Sequence, residues 1–144
     1  MHSILKIITT GITLTVALAV PVVWAQAANA KAPVDCKTPT TQADMNECAH
    51  EDFLTANAGY AETSRTIFSR LPGKQRDLFQ RSQKAWLAYR TATCDFEGSG
   101  LAGGSAQGMV KWQCVARMTR ARVLELRAIG NCAEGDVACV RFTK

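Results

Sequence analysis

Between Thr41 and Leu71 the apolar or small residues Met45, Ala49, Phe53, Ala56, Tyr60, Ile67 and Leu71 recur at helical spacing. Thr41 and Asp44 stand before them as a Thr-x-x-acid start signal. Together they predict a first helix of about 30 residues. Gly59 falls inside it and costs about 1 kcal/mol relative to alanine, which predicts close packing or a slight kink there. Leu71-Pro72-Gly73 breaks the pattern, with Pro72 suited to the first turn of a new helix. That second helix is expected to run to about Cys94, burying Leu78, Phe79, Ala85, Trp86 and Tyr89. Lys74, Arg76, Asp77, Arg81 and Lys84 fall mostly on its other side.

From Glu97 to Gly108 glycine and serine dominate, which predicts a mobile or specially shaped loop. A third helix is expected from near Ser105 through Met109, Val110, Trp112, Val115, Met118, Val123 and Leu126 to about Ile129, with Gly130 as its stop. No alternating run reads as a strand. The fold class is therefore all-α: three main helices in a small antiparallel bundle with a glycine-rich loop.

The start of the chain reads differently. His2 and Lys6 precede an apolar stretch from about Ile7 to Val23, and two small-x-small cleavage sites follow, Ala25-Gln26-Ala27 before Ala28 and Ala28-Asn29-Ala30 before Lys31, of which the second is preferred. This predicts a removable signal peptide over residues 1–30 and a single domain over 31–144. The stretch is short for a bilayer span and is broken by Pro21, so no transmembrane segment is expected after processing. Cys36 follows Pro33-Val34-Asp35, which is no lipid-attachment sequence. The expected location is the periplasm or the exterior.

Composition adds six cysteines, Cys36, Cys48, Cys94, Cys114, Cys132 and Cys139, all beyond the cleavage site. An even count in a small exported chain argues for disulfides, although six cysteines allow 15 pairings. Pairing neighbours gives Cys36 with Cys48 to pin the lead-in to the first helix, Cys94 with Cys114 to close the glycine-rich loop, and Cys132 with Cys139 to staple the tail. A metal site is disfavoured: there is no Cys-x-x-Cys, and His50 is the only histidine after the leader. No cofactor is expected. The chain carries a net charge of +5 and loses only Lys6 among its ionic residues with the leader. So small a surplus permits contact with anionic envelope polymers and predicts no nucleic-acid partner.

Gln83-Lys84-Ala85-Trp86-Leu87-Ala88-Tyr89-Arg90, then Cys94, Gly103-Gly104-Ser105 and Cys114, resembles the signature of the LprI-type lysozyme-inhibitor family. Thr41-Gln42-Ala43-Asp44-Met45-Asn46-Glu47-Cys48-Ala49 is similar to the start of that family's first helix, and Cys132 to Cys139 is similar to the tail of some members. The chain departs from the pattern at Ala56-Asn57-Ala58-Gly59-Tyr60-Ala61-Glu62-Thr63-Ser64, where an Asp, an Asn and a Tyr are replaced. The resemblance implies a secreted, non-catalytic protein that binds a lysozyme or another muramidase.

Candidate chemistry divides accordingly. His50 has no evident nucleophile beside it, and the nearest carboxylate pair for a glycosidase is Asp95 with Glu97 at the loop mouth. A muramidase cleft is lined by carboxylates, so Ser99, Ser105 and Lys111 on the loop are the expected contacts, with Arg90 as a charged anchor. Trp86 and Tyr89 read first as core, and otherwise as an exposed aromatic platform beside Arg90. A different class of function would use Arg117, Arg120, Arg122 and Arg127 of the third helix to hold anionic cell-wall glycan or lipid.

Overall fold

The computed structural model describes residues 33–142, which contain three helices, α1 (Gln42–Arg70), α2 (Gly73–Ser99) and α3 (Gln107–Ala128), and no strand. The leader expected at residues 1–30 lies outside the described residues. Among them no helix is long and apolar enough to cross a membrane.

α1 starts where its capping signal stands. The Thr41 hydroxyl accepts from the Asp44 amide at 3.1 Å, and the Asp44 carboxylate accepts from the Thr41 amide at 3.3 Å. Both donors would otherwise be unpaired at a helix start. Ala49, Ala56, Tyr60, Ile67 and Leu71 are buried as the apolar stripe requires. Gly59 is not closely packed: a Cβ placed there would meet nothing within 4 Å. Pro72 sits one position before its expected place, as the N-cap of α2. At the far end of α3, Gly130 adopts φ +86° over the ring of Phe142, a site no side chain could share.

α3 is the central element. It packs closely along both other helices, while the backbones of α1 and α2 stay farther apart and meet through long side chains such as Tyr60 and Trp86. The splay leaves a groove of about 440 Å³ lined by Tyr60, Phe68, Phe79 and Leu87 among others. Two core clusters lie along α3. One gathers Tyr60, Ile67, Leu71, Val123 and Leu126. The other gathers Cys94, Cys114 and Val115, with Phe53 and Met118 against them.

All three disulfides pair neighbouring cysteines: Cys36–Cys48, Cys94–Cys114 and Cys132–Cys139. Cys94–Cys114 does more than close a loop. Its sulfurs are almost wholly buried, Met118 Sδ lies 3.6 Å from one of them, and the bond fastens α2 to α3 inside the core.

α2 differs from expectation in two ways. It continues past Cys94 to Ser99, so the connection to α3 shrinks to residues 100–106. The disulfide and ion pairs from Asp95 to Lys111 and from Glu97 to Arg117 dock its last turns on α3. That docking outweighs the roughly 1 kcal/mol cost of Gly98 in a helix. Its buried face is also rotated. Gln83, Cys94 and Gly98 are buried and Trp86 is half-buried, whereas Leu78, Ala85 and Tyr89 are exposed. Tyr89, expected in the core, is 62% exposed.

Candidate functional site

The glycine-rich connection is ordered by its own hydrogen bonds. Amides of Leu101, Ala102, Gly104 and Gln107 donate to carbonyls of Gly98, Ser99, Leu101 and Gly104 in a chain of turns. The Gly103 amide donates to Gln107 Oε1 at 3.1 Å. Gly103 has φ +76°, in the left-handed region that glycine enters without strain.

α1 pins this connection from below. α3 has no capping side chain of its own, since Ala106 occupies its N-cap. Asn46 supplies the cap from the neighbouring helix: its Oδ1 accepts from the Met109 amide at 3.0 Å, and its Nδ2 donates to the Ser105 carbonyl at 3.0 Å. Gln42 Nε2 steadies the Asn46 oxygen at 3.1 Å. Asn46→Ala is therefore expected to cost about 1 to 2 kcal/mol, a lost cap plus an unpaired amide. It should speed hydrogen exchange at Met109 more than at amides in the middle of α3, and unchanged exchange there would contradict the capping role.

The loop end carries three of the expected contact residues. Ser99, with its hydroxyl donating to the Phe96 carbonyl at 2.7 Å, and Ser105 are both exposed. Lys111 is ion-paired with Asp95, with its side chain 43% exposed. Leu101, which the sequence reading passed over, is 40% exposed in the same connection. An apolar residue among glycines was the available signal.

Arg90 is elsewhere. It lies ten residues before Gly100, about 15 Å along the helix axis. Its Nη1 donates to Thr119 Oγ1 at 2.8 Å, and that hydroxyl donates to the Val115 carbonyl at 2.6 Å. Its guanidinium also lies over Trp86 at 5.1 Å and Phe53 at 5.9 Å. Burial pushes its pKa below the usual value, with a partial offset from Tyr60. Arg90 is thus held between helices rather than at the loop.

Trp86 is the centre of this arrangement. Tyr60 packs on it at 5.2 Å, and Arg122 lies on it at 5.7 Å. Beside it the buried Gln83 Oε1 accepts from Tyr60 at 3.4 Å and from Arg122 Nε and Nη2, both at 3.3 Å. Gln83, Trp86, Arg90 and Cys94 share one face toward α3. Four positions quoted as signature are therefore framework. His50 belongs to a separate aromatic cluster, 4.7 Å from Trp112 and 6.0 Å from Phe53.

The basic residues of α3 are largely neutralised within the fold. Arg117 pairs with Glu97 at 2.7 Å, Arg120 with Asp52 at 2.6 Å and Arg122 with Glu125 at 2.8 Å. Arg127 is exposed. Asp95 and Glu97, the carboxylates a glycosidase would use, are paired with Lys111 and Arg117. Among the described residues no group of three His, Cys, Asp or Glu side chains is arranged to hold a metal ion.

The fold and this distribution of polar groups define an all-helical scaffold tied by disulfides, with one pinned glycine-rich end. The chain belongs to the lysozyme inhibitor LprI family, whose model matches residues 35–126. That span ends at Leu126, so the Cys132–Cys139 tail lies beyond it. The chain is also 31% identical to an uncharacterized protein of Rhizobium meliloti (strain 1021), over 74% of this chain and 87% of that one. No solved structure matches it.

Proposed function

We propose that this protein is an exported, non-catalytic inhibitor of a muramidase, and that it binds its target through the glycine-rich end between α2 and α3. Family membership supports the inhibitory role. The observation that carries the choice of surface is the pinned connection itself. Turn hydrogen bonds, Asn46 and the Cys94–Cys114 bond hold it in one shape while Leu101, Ser99 and Ser105 stay exposed. A loop already ordered loses little entropy on docking, the exposed Ser105 hydroxyl can donate to a cleft carboxylate, and Leu101 can pack on the apolar rim around it. Lys111 lies beside the loop, with its charge paired to Asp95 and its side chain partly exposed. Three disulfides fit an oxidising compartment outside the cytoplasm.

The basic-helix alternative is less well supported, because Arg117, Arg120 and Arg122 already have acidic partners. A turbidity assay with purified oxidised protein and several lysozyme types tests the proposal. Inhibition is expected against at least one type, and Leu101→Asp should weaken it by about tenfold or more with the fold intact. No inhibition of any type at large molar excess refutes the activity. Full inhibition by Leu101→Asp refutes the surface.

A further inference from the structure

α2 carries a second apolar stripe that the domain leaves uncovered. At 100° per residue, Leu78, Ser82, Ala85, Tyr89, Ala92 and Phe96 fall within about 40° of one line along the helix. Every one is exposed, Leu78 by 50%, Tyr89 by 62% and Phe96 by 78%. Their steps alternate four and three, the spacing of a seam that packs against another helix knobs-into-holes. Small Ser82, Ala85 and Ala92 lie between the large residues, so a partner helix could approach closely.

We propose that this stripe is covered by α2 of a second copy of the chain, running antiparallel about a two-fold axis near Leu87. The stripe is its own complement in that direction. Leu78 then faces Phe96 of the other copy, Ser82 faces Ala92, and Ala85 faces Tyr89, which sets a small residue opposite the tyrosine. A two-fold contact must be self-complementary in this manner. Charge agrees with the register. On the same flank beside the stripe, Arg81 of one copy lies about 3 Å along the axis from the level of Asp95 of the other, within reach of its long side chain, and symmetry makes the contact twice. Among the described residues Arg81 has no partner of its own. The Asp95 side chain, although paired with Lys111, remains 51% exposed. A parallel pairing would not bring these two charges together. The antiparallel arrangement also places the two glycine-rich ends at opposite poles of the dimer, clear of the contact. It therefore does not depend on the inhibitory reading.

Sedimentation velocity of the oxidised protein over a range of concentrations tests this. A concentration-dependent shift from monomer to dimer is expected, with Tyr89→Glu weakening association by at least about tenfold. Arg81→Asp should weaken it as well, and the triple variant Arg81→Asp/Asp95→Arg/Lys111→Glu should restore it, because the exchanged charges meet again across the axis while the pair within each chain is kept with its signs reversed. Helical circular dichroism of each variant separates lost association from lost folding. A protein still monomeric at about 1 mM overturns the inference, since even a weak dimer is populated there. Undiminished association of Tyr89→Glu assigns it to another face and overturns it too. A triple variant no better than Arg81→Asp overturns the antiparallel register.

Discussion

Breaking the Cys94–Cys114 bond with a Cys94→Ala/Cys114→Ala variant is expected to destabilise the domain by about 3 kcal/mol and to lower its melting temperature by roughly 15 °C. The closed segment has a sequence separation of 20, long enough for its loss to release considerable freedom in the unfolded chain. Two further effects act in the same direction. The sulfurs are core atoms packed with Val115, Phe53 and Met118, so removing them also loosens packing. The last turn of α2, with Gly98 inside it, would then be held to α3 mainly by two surface ion pairs, worth at most about 1 kcal/mol each. Cys132→Ser/Cys139→Ser should shift the melting temperature less, because the tail is largely exposed and contributes mainly Phe142 to the core. Equal shifts for the two variants, measured by circular dichroism, would show that the bond acts only on its own loop.

Leu126→Ala is expected to cost about 3 kcal/mol, within the usual range for deleting a buried leucine. Leu126 is fully buried where α3 meets α1, packed in the cluster of Tyr60, Ile67, Leu71 and Val123. The cavity would open in the middle of the cluster, and Ile67 and Leu71 are fixed on α1 and at its end, so little collapse is available to refill it. Leu124, two residues away and 68% exposed, gives the comparison. Leu124→Ala should stay within about 0.5 kcal/mol of the parent. Urea unfolding of the two variants measures the difference, and similar midpoints would contradict the placement of the core.

Much of the framework was legible in the residues because its signals were local. Thr41 with Asp44, the stripe of α1, Gly130, and the cysteine pairs Cys36–Cys48 and Cys132–Cys139 each act within a few turns of chain. The orientation of α2 was not legible, and the reason is specific. Leu78, Ala85, Tyr89 and Phe96 form one apolar stripe, and Phe79, Trp86 and Cys94 belong to another roughly a third of a turn away. Periodicity alone merges them. What separates them is long-range: Cys94 must reach Cys114, and Gln83, polar and easily assigned to the surface, is buried because Tyr60 and Arg122 bond to its oxygen.

The candidate site shows the same division. Ser99, Ser105 and Lys111 do gather at one end, as their closeness in the chain requires, but Arg90 is drawn away by Thr119 and Trp86. The extent of the loop was overestimated because glycine content reports intrinsic preference. It is silent about the ion pairs and the disulfide that hold Gly98 in a helix. Asn46 was visible as part of a motif, but nothing in the sequence reveals that it caps a helix more than sixty residues away.

The central position of α3 has a consequence for how the chain comes to be folded at all. Synthesis releases α1 and α2 first, and their backbones stay apart, meeting only through long side chains such as Tyr60 and Trp86. The helix that both of them need is the last to appear. An amphipathic pair with its apolar faces open must therefore persist until the third helix is complete, and the domain has no stable half to form on the way. Its folding is committed only once α3 is present, and on the exported reading that is after translocation, which makes it a natural client for whatever shields unfolded chains on the way.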